Sequence, residues 1–573
     1  MVPRLLLVLL LAVPILTWRI GRLGFSDTEG MYAEPAREMV VTGDWITPRM
    51  NGEPFLTKPP LMYWLSAALF EVAGPTEYAR LWPALAALAS VAVTGALGAE
   101  LFGEPAGILA ALVLLTSLGF LVEARLLRTD MVLVLVVTLS LYCYLRLRRG
   151  AGRTAAVAFW ATIGVGLLDK GFLALLLPGG VIAATEIADR DRRRLSLRAF
   201  HVPLGLAIVA ALVLPWYAPA VHRNPGFLWD SLVNQHLLFF FDRKLPRDNV
   251  DPDSLVFFWG MFLAQSLPWS LLLPAALVHT AYAVRARPAL RLPVGWLAVV
   301  LGFFSLSLSR LGHYSLPALP AVALVMGVFL ADAAAERVQV GRAWFVVPPA
   351  AVALLGLVCL VHNPWSFVTR FDPMLSGYRL APLARPAAAT LALGFGAVAL
   401  LLSTRRAWAA VVTAAVTATV MFGFVQVSQE HLEPLFSWRP FARTIRESIP
   451  SGTPIFFRAT DEYQLCGGLD YYTGRYAEIL APPGWVPPTF LAGRTDRLLT
   501  PRSELERAWR GGQAVFVSDD LPILDHTPIV PGSYSVVSHV GPRVLLRSAV
   551  SPIDPREDGG IGKKGHTSDV SLR

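Results

Sequence analysis

Apolar residues run in long blocks through most of this chain, and polar residues collect in the short gaps between them. A helix needs roughly 17 to 25 apolar residues to cross a hydrocarbon layer of about 30 Å. Blocks that can serve lie near 3–19, 80–100, 104–121, 130–147, 155–168, 170–187, 200–219, 256–283, 290–309, 314–333, 343–361, 386–403 and 407–426. They predict about thirteen membrane helices. Two regions break the pattern. Residues 20–79 mix acids and bases with aromatics directly after the first block, and the chain after about residue 427 takes on a soluble composition.

The gaps are not alike. If the N-terminus is cytoplasmic, alternate gaps fall inside and hold Arg146, Arg148, Arg149 and Arg153, then Arg190, Arg192, Arg193, Arg194 and Arg198. The later inside gaps hold Arg285, Arg287 and Arg291, then Arg337 and Arg342, then Arg405 and Arg406. All five agree with the positive-inside rule. The outer face then receives loop 20–79, the turn from Glu123 to Asp130, the Asp169–Lys170 pair, loop 220–255, the turn from Ser309 to Tyr314, loop 362–385 and everything past about 427. Most residues able to do chemistry fall on that face.

Composition agrees with a polytopic membrane protein. Of 573 residues, 54% are hydrophobic and 16% charged, where a soluble chain carries roughly a quarter charged; the mean hydropathy is +0.52. The net charge of +9 sits in clusters between apolar blocks, which marks topology and not a nucleic-acid groove. Cys143, Cys359 and Cys466 form no disulfide framework and no metal-ligand spacing. The first block lacks a small-residue cleavage site, so it is expected to be a retained span. Three units are expected: 1–426, a membrane domain whose outer loop 20–79 includes juxtamembrane helices; 427–550, an extracytoplasmic α/β domain; and 551–573, a disordered tail.

Candidate chemistry begins in the opening loop. Lys58-Pro59-Pro60 predicts a helix running to about Ala73 with a lysine at its start, where free N–H groups and the dipole favour an anion. Lysine also snorkels at interfaces with no such role. Asp27 or Thr28 is expected to cap a helix ending near Val41, which explains one carboxylate; Asp27 and Glu29 together suggest a general base. Asp130 opens a very apolar span, with Arg128 as a candidate partner. Arg310, His313 and Tyr314 offer a cation, an imidazole and a hydroxyl, and loop 220–255 adds His236, Arg243, Lys244 and Arg247. No phosphate-binding loop, HExxH or dinucleotide fingerprint is present.

Glu29-Gly30-Met31-Tyr32-Ala33-Glu34-Pro35-Ala36-Arg37-Glu38-Met39, Gly43-Asp44-Trp45, Asn51-Gly52-Glu53-Pro54, Lys58-Pro59-Pro60-Leu61 and Tyr63-Trp64 resemble the first outer loop of bacterial GT-C membrane glycosyltransferases. That family holds the lipid A aminoarabinose transferases and the protein O-mannosyltransferases. The likeness continues in Thr129-Asp130-Met131, Lys170-Gly171, Leu267-Pro268-Trp269 and the stretch from Ser309 to Pro320.

The resemblance implies an inner-membrane enzyme that takes a sugar from a polyprenyl-phosphate donor and passes it to a lipid, glycan or protein on the outer face. It implies Asp27 or Glu29 as base, with Asp27 slightly favoured, and Asp130 as a second acid. Lys58, Arg128 and Arg243 would serve the donor phosphate, and Tyr32, Tyr63, Arg310, His313 and Tyr314 would line the site. A divalent metal is left open. The sequence departs from the family pattern at Thr28 (usually Asp), Met31 (commonly Arg), Thr57 (Glu in aminoarabinose transferases) and Phe239 (usually Arg). A transporter or flippase of an isoprenoid-linked substrate and a non-catalytic scaffold are the competing readings.

Overall fold

The computed structural model describes residues 2–189, 197–245, 252–458, 463–480, 488–491, 499–518, 534–540 and 543–549, apart from residues 339, 363, 372–374, 376 and 379. The expected tail 551–573, Arg190 and Arg192 to Arg194, and Arg247 lie outside the described residues.

Every expected apolar block is helical. The first part contains α1 (Val2–Thr17), α2 (Asp27–Thr42), the hairpin β1 (Arg49–Met50) and β2 (Glu53–Pro54), α3 (Leu61–Ala73), α4 (Leu81–Phe102), α5 (Glu104–Leu115) and α6 (Leu118–Glu123). Next come α7 (Asp130–Arg148), α8 (Gly152–Lys170), α9 (Leu173–Ala188), α10 (Val202–Arg223) and the short α11 (Phe227–Trp229), which leads into a π-helical turn at Asp230–Leu238. The remaining membrane helices are α12 (Leu255–Gln265), α13 (Leu273–Ala283), α14 (Arg291–Leu306), α15 (Leu319–Ala334), α16 (Ala343–His362), α18 (Ala381–Ser403) and α19 (Ala407–Phe436), with α17 (Pro364–Phe371) between two of them. Among the described residues eight helices are long and apolar enough to cross a membrane unaided.

Two blocks read as single spans are broken. Block 104–121 divides at Thr116-Ser117, and block 256–283 divides between Gln265 and Leu273. The two breaks satisfy each other: Leu118 N donates to Leu267 O at 2.8 Å, and Trp269 Nε1 donates to Thr116 Oγ1 at 3.0 Å. Backbone freed from a helix inside a membrane bundle needs such partners.

The opening loop folds into α2, the hairpin and α3. Ser26, not Asp27 or Thr28, is the N-cap of α2, and its backbone N donates to Glu29 Oε2 at 2.9 Å. Glu29 also reaches outside its helix. It is fully buried and accepts from Arg80 Nε at 2.7 Å, Arg80 Nη2 at 2.8 Å and Leu127 N at 2.9 Å. One carboxylate thus ties α2, the start of α4 and the turn before α7 together.

The C-terminal part holds α20 (Arg439–Ser448), β3 (Ile455–Arg458), α21 (Gly467–Thr473), β4 (Glu478–Leu480), β5 (Leu499–Thr500), α22 (Arg502–Arg510), β6 (Val515–Ser518), β7 (Tyr534–Val540) and β8 (Arg543–Ser548). The strands form one sheet in the order β5-β4-β3-β6-β8-β7, parallel from β5 to β6 and antiparallel at β8 and β7. Helix α21 lies directly on α2. A Cβ at Gly30 would stand 2.4 Å from Gly468 N, so the two backbones meet where only glycine fits. Asn51 Nδ2 donates to Ala477 O at 2.9 Å, and the Tyr472 hydroxyl accepts from Phe25 N at 2.6 Å, which adds polar ties between the opening loop and the sheet region.

Candidate active site

A cavity of about 630 Å³ opens where the ends of α7 and α8 meet the opening loop and the turn before α15. Its lining combines the polar side chains Thr28, Lys58, Arg128, Asp130, Lys170 and His313 with the aromatic rings of Phe172, Phe239, Phe240, Phe303 and Phe304. Four cations (Lys58, Arg128, Lys170 and Lys244) and a single carboxylate (Asp130) face it among the described residues.

Each polar group is placed by local structure. Asp130 is the first residue of α7 and Lys170 the last of α8, so adjacent antiparallel spans bring the two side chains together in an ion pair. The turn before Asp130 is held by Glu29 through Leu127 N, and Arg128 Nη2 donates to Thr28 Oγ1 at 2.7 Å. Lys58 precedes Pro59-Pro60 and the N-terminus of α3, as its sequence predicts. His313 lies in a 3-10 turn, Gly312–Ala318, pinned by Gly312 N donating to Asp253 Oδ2 at 2.7 Å and by Gln265 Nε2 donating to Gly312 O at 3.1 Å. Its Nε2 is 3.9 Å from Asp130 Oδ1.

Of the residues expected from sequence, Lys58, Arg128, Asp130, Tyr32, His313 and Tyr314 line the cavity. Asp27, Glu29, Tyr63, Arg243 and Arg310 are not among its lining residues. Asp27 is ion-paired to Arg543 of β8, whose guanidinium stacks on Trp438 at 4.3 Å. The acceptor positions of Glu29 are filled by its Arg80 and backbone donors; burial pushes its carboxyl up, but Arg80 holds it net below the usual range. Tyr63 is buried behind Tyr32, with ring centroids 5.8 Å apart. Arg310 is spent on the carbonyls of Asp253 and Ser305 at 3.2 and 3.4 Å. In loop 220–255 it is Lys244, not Arg243, that faces the cavity.

Lys170 and Gln464 were not expected in the site. A lysine beside an acid at a span's end was the available signal for Lys170. Gln464 comes from the C-terminal part, more than 400 residues away in sequence from Thr28, and no local pattern marks it. For a divalent metal the residues do not fit. Among the described residues no three His, Cys, Asp or Glu side chains are grouped to hold one, and the carboxylate that faces the cavity is already bound to Lys170.

The sequence profile of the dolichyl-phosphate-mannose-protein mannosyltransferases matches residues 57–218. The undecaprenyl phosphate-alpha-4-amino-4-deoxy-L-arabinose arabinosyl transferase of Pseudomonas savastanoi pv. phaseolicola is 31% identical over 369 residues, covering 62% of this chain and 66% of the relative. That of Pseudomonas aeruginosa (strain LESB58) is 32% identical over 324 residues, covering 55% and 56%. The matched stretch therefore spans 56% to 66% of the length of these curated relatives. Crystalline ArnT from Cupriavidus metallidurans bound to undecaprenyl phosphate superposes with a TM-score of 0.77 at 24% identity, over 95% of this chain and 98% of that one. The Archaeoglobus fulgidus oligosaccharyltransferase superposes with a TM-score of 0.52 at 12% identity, over 90% of this chain and 69% of that one. The chain has the fold of ArnT over nearly all of its length, and over more than half of it the sequence is similar to the aminoarabinose transferases.

Proposed function

We propose that the protein transfers a sugar from a polyprenyl-phosphate donor to an acceptor at the outer face of the inner membrane. The observation that carries this is one cavity whose lining holds two chemistries: three lysines and an arginine together with phenylalanine rings. A molecule complementary to both has a phosphate head and a hydrocarbon tail. The relatives named above support the reading, since their names specify an undecaprenyl-phosphate sugar.

In this reading the acceptor hydroxyl oxygen attacks the anomeric carbon of the donor. The bond from that carbon to the phosphate oxygen breaks, and polyprenyl phosphate leaves with the electron pair. Lys58, Arg128 and Lys170 stabilise the charge that grows on the leaving oxygen, an effect strongest in a site shielded from water. Asp130 holds Lys170 in place. Tyr32 and Tyr314 line the site. The arginine-rich gaps argue for a cytoplasmic N-terminus and an extracytoplasmic sheet domain. Gln464 of the C-terminal part lines the same cavity, which supports a share for that part in holding the acceptor, whether lipid, glycan or protein.

The test is incubation of purified protein with a polyprenyl-phosphate sugar and envelope lipid extract. Release of free polyprenyl phosphate with glycosylated acceptor is the expected result. Movement of intact donor across vesicles without release would replace this reading with transport.

A further inference from the structure

The cavity holds few groups able to take the proton that the acceptor must lose. Lysine and arginine side chains are donors without acceptor capacity while charged. Asp130 is engaged by Lys170. Asp27 and Glu29 lie off the cavity, tied to Arg543 and Arg80. The other lining imidazole, His236, has both nitrogens occupied: Nδ1 lies 2.6 Å from Ser231 O, and Nε2 accepts from Phe172 N at 3.3 Å. Burial, reinforced by the charge of Asp130, pushes the Tyr32 phenol above its ordinary value, so it stays protonated near neutrality.

That leaves His313. Its side chain lines the cavity and is 24% exposed, its Nε2 lies 3.9 Å from Asp130 Oδ1, and its ring is edge-on to Tyr314 with centroids 4.8 Å apart. We infer that His313 is the general base of the transfer, accepting the acceptor's hydroxyl proton, with Asp130 as the counter-charge for the imidazolium so formed. This rests on the transferase reading and adds the proton's destination to it. The charged and titratable groups around His313 are Asp130 from α7, Arg128 before it, Lys170 from α8, Lys58 before α3, and Tyr314 beside it. A donor phosphate seated among the three cations offsets their charge, which lets Asp130 favour the imidazolium. The base is thus readied by the arrival of the donor, and an empty site does not take up the acceptor's proton. After transfer the proton can pass to the departing phosphate, so the cycle balances without any further reactant.

The test uses the full-length protein in detergent or nanodiscs. His313→Gln and His313→Asn are compared with wild type for undecaprenyl-phosphate binding, kcat, KM and the pH profile. Expected are unchanged undecaprenyl-phosphate binding, kcat lowered roughly 10²- to 10⁴-fold, loss of the imidazole limb from the pH–rate profile, and partial rescue of His313→Gln by added imidazole. Near-wild-type kcat, or an unchanged acidic limb in either variant, overturns the assignment. The two readings separate cleanly. If wild type releases no polyprenyl phosphate, the transferase reading fails; if wild type turns over and the variants match it, the role of His313 alone fails.

Discussion

Glu29 decides between a chemical and a structural use of the opening-loop acids. Its side chain and that of Arg80 are 1% and 2% exposed, and their two hydrogen bonds are 2.7 and 2.8 Å. Removing one partner of such a pair strands a buried charge and costs about 3–5 kcal/mol, whereas replacing both by packed apolar groups is often neutral. Glu29→Ala is therefore expected to lower stability by about 3–5 kcal/mol, with extra loss from the freed Leu127 N. Arg80→Met is expected to lower it by a similar amount, and Glu29→Leu with Arg80→Met to recover only part of it, because Leu127 N and the carbonyls of Leu23 and Gly24 stay without their partners. The assay is unfolding in detergent, followed by intrinsic fluorescence, with turnover measured on the folded fraction of each protein. The single variants should lose stability and retain specific turnover per folded molecule within about tenfold. Single variants of wild-type stability whose folded molecules do not turn over would refute the argument and return Glu29 to the role of base.

The remaining predictions address the cavity and the interface above it. Lys58→Ala removes a charge-assisted bond to phosphate worth about 1.5–3 kcal/mol, so donor KM should rise by roughly 10- to 100-fold with folding intact, measured by initial rates. Asp130→Asn should abolish turnover while the protein still folds, because Lys170 loses its anchor; circular dichroism and the release assay check the two halves. Gly30→Ala places a Cβ 2.4 Å from Gly468 N, and the C-terminal part should become sensitive to limited proteolysis, with Gly30→Ser at least as affected. The same interface buries Glu34, Glu38 and Asp470 around Arg37, with Arg49, Tyr476 and Cys466 adjoining. Burial pushes Glu34 up to about 7 and Asp470 well above the usual carboxylate range. A carboxyl whose folded value is raised binds extra protons in the folded state, so docking should be firmest below the ordinary carboxylate range and weaken as pH rises through about 7. Hydrogen exchange at α21 against pH checks this, and Glu34→Gln should flatten the curve.

The membrane bundle was legible because apolar runs separated by arginine-bearing gaps leave few alternatives in a bilayer. The breaks at Thr116-Ser117 and around Pro268 were not, because each is stabilised by the other and neither segment shows that alone. Lys58 and Asp130 could be found in sequence, since each sits at a helix end beside an apolar run. The pairing of Asp27 could not be read from sequence: its partner Arg543 is 516 positions away, and a carboxylate reads the same whether it faces a substrate or an arginine. The pairing of Glu29 with Arg80 was hidden in the same way. The helix-start signal in 26–29 was real, but Ser26 serves as the cap, which is a pattern the acids obscured.

The central claim is that the phosphate of a polyprenyl lipid binds among the cations that line the cavity. A structure of the protein in nanodiscs with undecaprenyl phosphate tests it most directly. The account predicts a phosphate within about 4 Å of the Lys58 and Lys170 ammonium groups, with the hydrocarbon chain along Phe239, Phe240 and Phe303. A phosphate bound elsewhere, with the cavity left to solvent, would contradict it.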